Sequence, residues 1–96
     1  MAFNGLRLEY SLDRISNYIS WKDRMEVVLE DNGLNKFIDK DVPKPDATNA
    51  ANLDAWKNKV AKARRILFDG IRDHILSSLH GKATPYEMWK VLTDLF

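Results

Sequence analysis

The chain has no cysteine. That excludes a disulfide framework, a thiolate zinc site and a thiol nucleophile in one step, and it fits a reducing compartment. No apolar run approaches the roughly 18 residues that would suggest a membrane-spanning helix. The opening "MAFNGLRLEY" lacks the apolar stretch of a secretory signal, so a soluble, cytoplasmic protein without membrane partners is expected. The four glycines are scattered and form no phosphate-cradling loop. A strong excess of one charge is missing too, since the formal net charge is +1. A dedicated nucleic-acid binder usually carries a clear basic surplus.

Ninety-six residues, 45% of them hydrophobic, suffice for one domain near the lower end of the usual size range. The charge is unevenly spread. Residues 55–65, "AWKNKVAKARR", hold five basic residues and no acid. The rest of the chain carries ten basic residues against fourteen acidic ones, a balance of −4.

The spacing of apolar residues organises the chain into helices. Leu6, Leu8 and Tyr10 alternate with charge, which predicts an extended N-terminal segment over residues 1–15. A helix starts near Ser16 or Asn17, both good N-caps. Tyr18, Trp21, Met25, Val28 and Leu29 line its inner side, and Gly33 supplies its left-handed stop. "LNKFID" is one short turn with Leu34, Phe37 and Ile38 as its apolar edge. Residues 40–52, with Pro43 and Pro45, form a mobile loop.

A long helix is expected to start around Asn52 to Asp54 and to carry Leu53, Trp56, Val60, Ala63, Leu67 and Ile71. Gly70 marks a break or bend, and a shorter helix then bears Ile75, Leu76 and Leu79 as far as His80 and Gly81. The final helix has the clearest start. Thr84 is its N-cap, Pro85 its first residue, and Glu87 completes a T-x-x-E capping box. Trp89, Leu92, Leu95 and Phe96 form its buried stripe, with Met88 beside it. The fold class that follows is all-α, a compact bundle of four to five short helices with little or no sheet. Its core residues are Tyr18, Trp21, Met25, Leu29, Trp56, Trp89 and Leu92.

No catalytic or metal-binding pattern emerges. His74 and His80 are six residues apart, turned about 240° from each other at ~100° per residue, whereas a shared metal needs a spacing of three or four. Ser77 and Ser78 lie near both histidines, but no carboxylate is placed to orient either imidazole. Asp23, Glu26 and Glu30 sit among Lys22 and Arg24, which suits surface pairing better than acid–base chemistry. No cofactor and no small-molecule substrate are expected. The basic segment has two readings: a solvated outer side, or a phosphate-contacting stripe of Lys57, Lys59, Lys62, Arg64 and Arg65. No exposed aromatic is interleaved with it to stack on bases, so sequence-specific recognition is not expected.

Taken in order, "SNYISWKDRMEVVLEDNGL", "VPKP", "AWKNKVAKARRIL" and "TPYEMWKVLTDLF" strongly resemble the Gag polyprotein of copia-type LTR retrotransposons, particularly plant elements. The resemblance rests on Asn17, Tyr18, Trp21 and Met25, on Gly33 and Leu34, on Trp56 and Ala63, and on Thr84, Glu87, Trp89 and Leu92. Members of that family usually carry glycine shortly before the Asn-Tyr pair. Here Arg14 and Ile15 stand in that stretch, and a less permissive turn is expected.

The resemblance implies the N-terminal lobe of a capsid region, cut from a longer chain. It also implies a self-associating structural module of a cytoplasmic virus-like particle that packages element RNA. The partners implied are other copies of Gag, and RNA mainly through regions downstream. The competing expectations are a nucleic-acid-binding helical module and a domesticated Gag-derived adaptor for a host protein.

Overall fold

The computed structural model describes residues 10–96; the alternation at Leu6 and Leu8 lies outside them. Five α-helices follow in order: α1 (Tyr18–Asp31), α2 (Lys36–Asp39), α3 (Ala50–Asp69), α4 (Asp73–Leu76) and α5 (Pro85–Leu95). Short 3₁₀ turns cover Ile15–Asn17 and Ser77–Leu79. Among the described residues there is no strand, only an isolated parallel bridge between Leu12 and Ile71. The chain is an all-α bundle. No helix among the described residues is long and apolar enough to cross a membrane.

Local chemistry accounts for most of the boundaries. Gly33 adopts φ 68° after α1, the left-handed conformation that closes a helix. Thr84 Oγ1 accepts from the Glu87 backbone N–H at 3.2 Å, capping α5. The Glu87 carboxylate reaches back one residue further than a capping box requires and accepts from Ala83 N–H at 3.4 Å. Helix α3 begins at Ala50, earlier than the expected Asn52–Asp54. The Asn49 side chain accepts from Asn52 N–H and caps the helix there, so side-chain capping rather than an acid set the start. Gly70 is the C-cap of α3.

The stretch before α1 shows no need for glycine. Arg14 is extended, with φ −162° and ψ 171°, a conformation open to any residue. The turn is held instead by Asn17, whose Oδ1 accepts from Asp13 N–H and Arg14 N–H at 3.2 and 3.1 Å. Its Nδ2 donates to Ser11 O at 2.9 Å. The turn expected to be less permissive is accommodated at Arg14 by extended backbone, and one amide side chain ties it together.

The core gathers one side of each helix. Trp21, Met25, Leu29, Leu34, Ala63, Leu67, Met88 and Leu92 are all at most 2% exposed. Helix α5 packs on α2 and α3, and α1 packs on α3. The proline-bearing loop is tied to the body at Val42, which packs on the core and whose carbonyl accepts from Trp56 Nε1 at 3.3 Å. One expected core residue falls outside: Leu95 is 52% exposed. Of the terminal pair, Phe96 is the partly buried member, stacked on Tyr18 with ring centroids 5.1 Å apart. Helical period names the residues that share a side, but neighbouring elements decide how far along it the core extends.

Candidate interaction surfaces

The N-Y-x-x-W stretch is a junction. Trp21 is 1% exposed, and its Nε1 donates to Gly70 O at 2.7 Å. The same carbonyl accepts from Leu12 N–H at 2.8 Å, and Arg72 N–H donates to Leu12 O at 2.9 Å. The indole therefore ties α1 to the turn between α3 and α4, and the segment before α1 to the same point. Tyr18 stacks on Trp21 at 6.2 Å, and Trp89 tilts against Trp21 at 5.5 Å. Trp56 and Trp89 are only half-buried; Trp21 alone of the three tryptophans is enclosed. Nearby, His74 Nε2 lies 2.6 Å from Asp13 O, to which the ring N–H donates. Beside it Asp13 accepts from Arg14, and that hydrogen bond holds its carboxyl below the ordinary 3.8.

Two solvent-facing regions remain once the core closes. The first is the outer side of α1 with the turn before it. Ile15 and Ile19 are 71% and 67% exposed, and Val27 is 57% exposed. Around them stand Asp23, Glu26 and Glu30. The nearby cations are engaged locally: Arg14 pairs with Asp13 at 2.9 Å, Lys22 with Glu26 at 3.2 Å, and the Arg24 guanidinium lies 3.9 Å over the Tyr10 ring. Glu26 raises the Lys22 pKa above its ordinary 10.5 through that hydrogen bond.

The second region is the basic side of α3. Lys57, Lys59 and Arg65 are exposed, whereas Lys62 and Arg64 are partly buried. No carboxylate among the described residues pairs with any of the five. The helix splits them: Lys57 and Arg64, seven residues apart, share one line, and Lys59 lies well round from it. Arg64 is the unusual member. Its guanidinium sits 5.5 Å from the Phe68 ring, while its Nε is enclosed and has no hydrogen-bond partner among the described residues.

Both residues border an open groove of about 870 Å³ formed with α4, the following 3₁₀ turn and the start of the link to α5. Phe68, partly buried, lies beyond the basic segment of residues 55–65 and lines the groove from the same helix. The available signal was the Arg64–Phe68 spacing of four, which puts both on one helix line. Nothing in the sequence pattern marks the rest of the groove, supplied by a segment beyond the Gly70 break.

Among the described residues no group of three or more His, Cys, Asp or Glu side chains is placed to hold a metal ion. The arrangement is that of a small helical tile with distinct acidic–apolar and basic–aromatic sides. The family described as gag-polypeptide of LTR copia-type matches residues 25–96, and the chain belongs to it. The matched range begins at Met25, so Asn17, Tyr18 and Trp21 precede it. Searches of curated proteins and of solved structures returned no match.

Proposed function

We propose that this chain is a structural self-association module of a retrotransposon Gag. It forms part of the capsid shell of a cytoplasmic virus-like particle that encloses element RNA, and it performs no catalysis. Membership of the copia-type Gag family supports the structural role. The observation that carries the self-association is the outer side of α1, where Ile15, Ile19 and Val27 stay open to solvent amid charged residues. Strongly exposed apolar side chains set among charged ones have the make-up of a protein–protein contact.

Charge restricts how that side meets another copy. Asp23, Glu26 and Glu30 surround the isoleucines, and a two-fold pairing of α1 with α1 would set acid against acid. The side therefore docks on a different face of the next copy. Such heterologous contacts generate rings where the rotation closes and open arrays where it does not.

Sedimentation velocity over a wide concentration range, at low and high salt, tests this reading. The wild-type chain is expected to form reversible oligomers that grow with concentration, and Ile19→Asp is expected to remain monomeric with an unchanged circular dichroism spectrum. A wild-type chain that stays monomeric throughout, or an Ile19→Asp variant that assembles normally, counts against the α1 contact.

A further inference from the structure

The groove beside α3 has features that assembly through α1 leaves unused. Its floor is apolar, with Phe68, Leu76 and Leu79, and its rim bears Arg64, His80 and Lys82. One carboxylate, Asp73, stands on the rim as well, so two fixed cations face one fixed anion. Arg64 Nε is enclosed and has no hydrogen-bond partner among the described residues, so its desolvation is not offset there.

The positive charge does not stop at the groove. Lys57 lies on the same helix line as Arg64, about 10 Å away at 1.5 Å per residue, and Arg65 is exposed beside it. A lone carboxylate would need only the rim. A line of cations running out of an aromatic-floored groove suits a polyanion whose repeating units carry flat apolar rings.

We propose that this groove is a binding site for single-stranded RNA, with one base against Phe68 and Leu76 and the backbone phosphates on Arg64, Lys82 and the outward line of α3. It rests on the Gag reading only for the source of that RNA, and it is independent of the α1 contact. A base and a guanidinium are both planar partners for the Phe68 ring, and stacking of this kind tolerates any base. The ligand is therefore bound by strandedness and charge rather than by sequence. Asp73 keeps phosphates off the α4 edge and leaves the Arg64–Lys82 path as the favourable track.

The test is fluorescence anisotropy with a labelled ten-nucleotide oligouridine. It is run over a series of salt concentrations, at protein concentrations where sedimentation shows a monomer. The wild-type chain is expected to bind it, and to bind a duplex of the same length more weakly. Phe68→Leu, which keeps an apolar side chain, is expected to weaken binding about fivefold or more through lost stacking. The double variant Arg64→Gln, Lys82→Gln is expected to lower the slope of log affinity against log salt by about 1.4, at about 0.7 per phosphate contact on a single strand.

Lys36→Gln removes a cation on α2, away from the groove, and serves as the control. Thermal melts establish that every variant is folded, and Lys82→Gln alone tests the rim if a core-side change unfolds the chain. Unchanged affinity in the groove variants overturns the proposal. So does an equal loss in Lys36→Gln, equal binding of the duplex, or tighter binding of an oligoglutamate peptide, which would assign the groove to an acidic protein segment. If RNA binding fails while Ile19→Asp still abolishes assembly, the α1 contact stands alone. If RNA binds and the chain never assembles, the groove stands and the α1 contact falls.

Discussion

Trp21 shows how much of this structure depends on single polar atoms inside an apolar environment. Its indole N–H and the Leu12 amide share the Gly70 carbonyl, at 2.7 and 2.8 Å. Replacing it with phenylalanine keeps an aromatic ring but removes one of the two donors and shrinks the ring. The carbonyl still has Leu12, so it is not orphaned. The expected loss is about 1–3 kcal/mol, read as a lower urea midpoint with an unchanged denaturant slope.

Asp13 offers a second test at the same scale. Its folded pKa is depressed, chiefly by the Arg14 hydrogen bond. The stabilisation is thus complete above the ordinary carboxylate value and is lost as pH falls through the lower folded value. Asp13→Asn is expected to melt below the wild type at pH 7. The gap should close as pH is lowered from 7 through that depressed folded value, because both side chains are then neutral. A gap of constant size across that range would show that the carboxylate charge contributes nothing.

Among the elements, α5 has the most self-sufficient start. Thr84 accepts from Glu87 N–H, Pro85 occupies the first helical position, and Gly81 turns the chain beforehand at φ 83°. Thr84→Ala is expected to cost about 1 kcal/mol, measured by chemical denaturation, while Thr84→Ser should cost much less because the accepting oxygen remains. These signals are local and could be read directly from "GKATPYE". The start of α3 could not. Asn49, Asn52 and Asp54 are all plausible caps, and which of them closes the helix depends on the path by which the loop arrives. Val42 on the core and the Trp56 hydrogen bond to its carbonyl set that path. Leu95 is the counterpart at the other end, on the periodic apolar side but without a neighbour to cover it.

For the molecule as a whole, the charge pattern separates two sides. The α1 side is acidic and apolar, whereas the α3 side is basic with a partly exposed aromatic. The assembly proposed for α1 rests on apolar contact, so its dependence on salt should be shallow. RNA binding at α3 should instead weaken steeply with salt. A shallow salt response in sedimentation beside a steep one in anisotropy, in the same buffer series, would show that two surfaces act separately. Parallel responses would mean that one surface serves both.

The sequence by itself determined the elements, the residues that share each inner side and the family. Helical period, Gly33, the Thr84 cap and the order of the motifs are all properties of neighbours along the chain. The turn at Arg14 was expected to be less permissive, and what holds it is Asn17, a side chain that closes it from three residues away. Only the tertiary structure decided which tryptophan is enclosed, where the apolar surface of α1 remains open, and that Phe68, Arg64 and Lys82 border one groove. These depend on how segments separated by the Gly70 break pack together. Burial and cavity shape are set by contacts between elements, and a one-dimensional period carries no record of which element lies opposite.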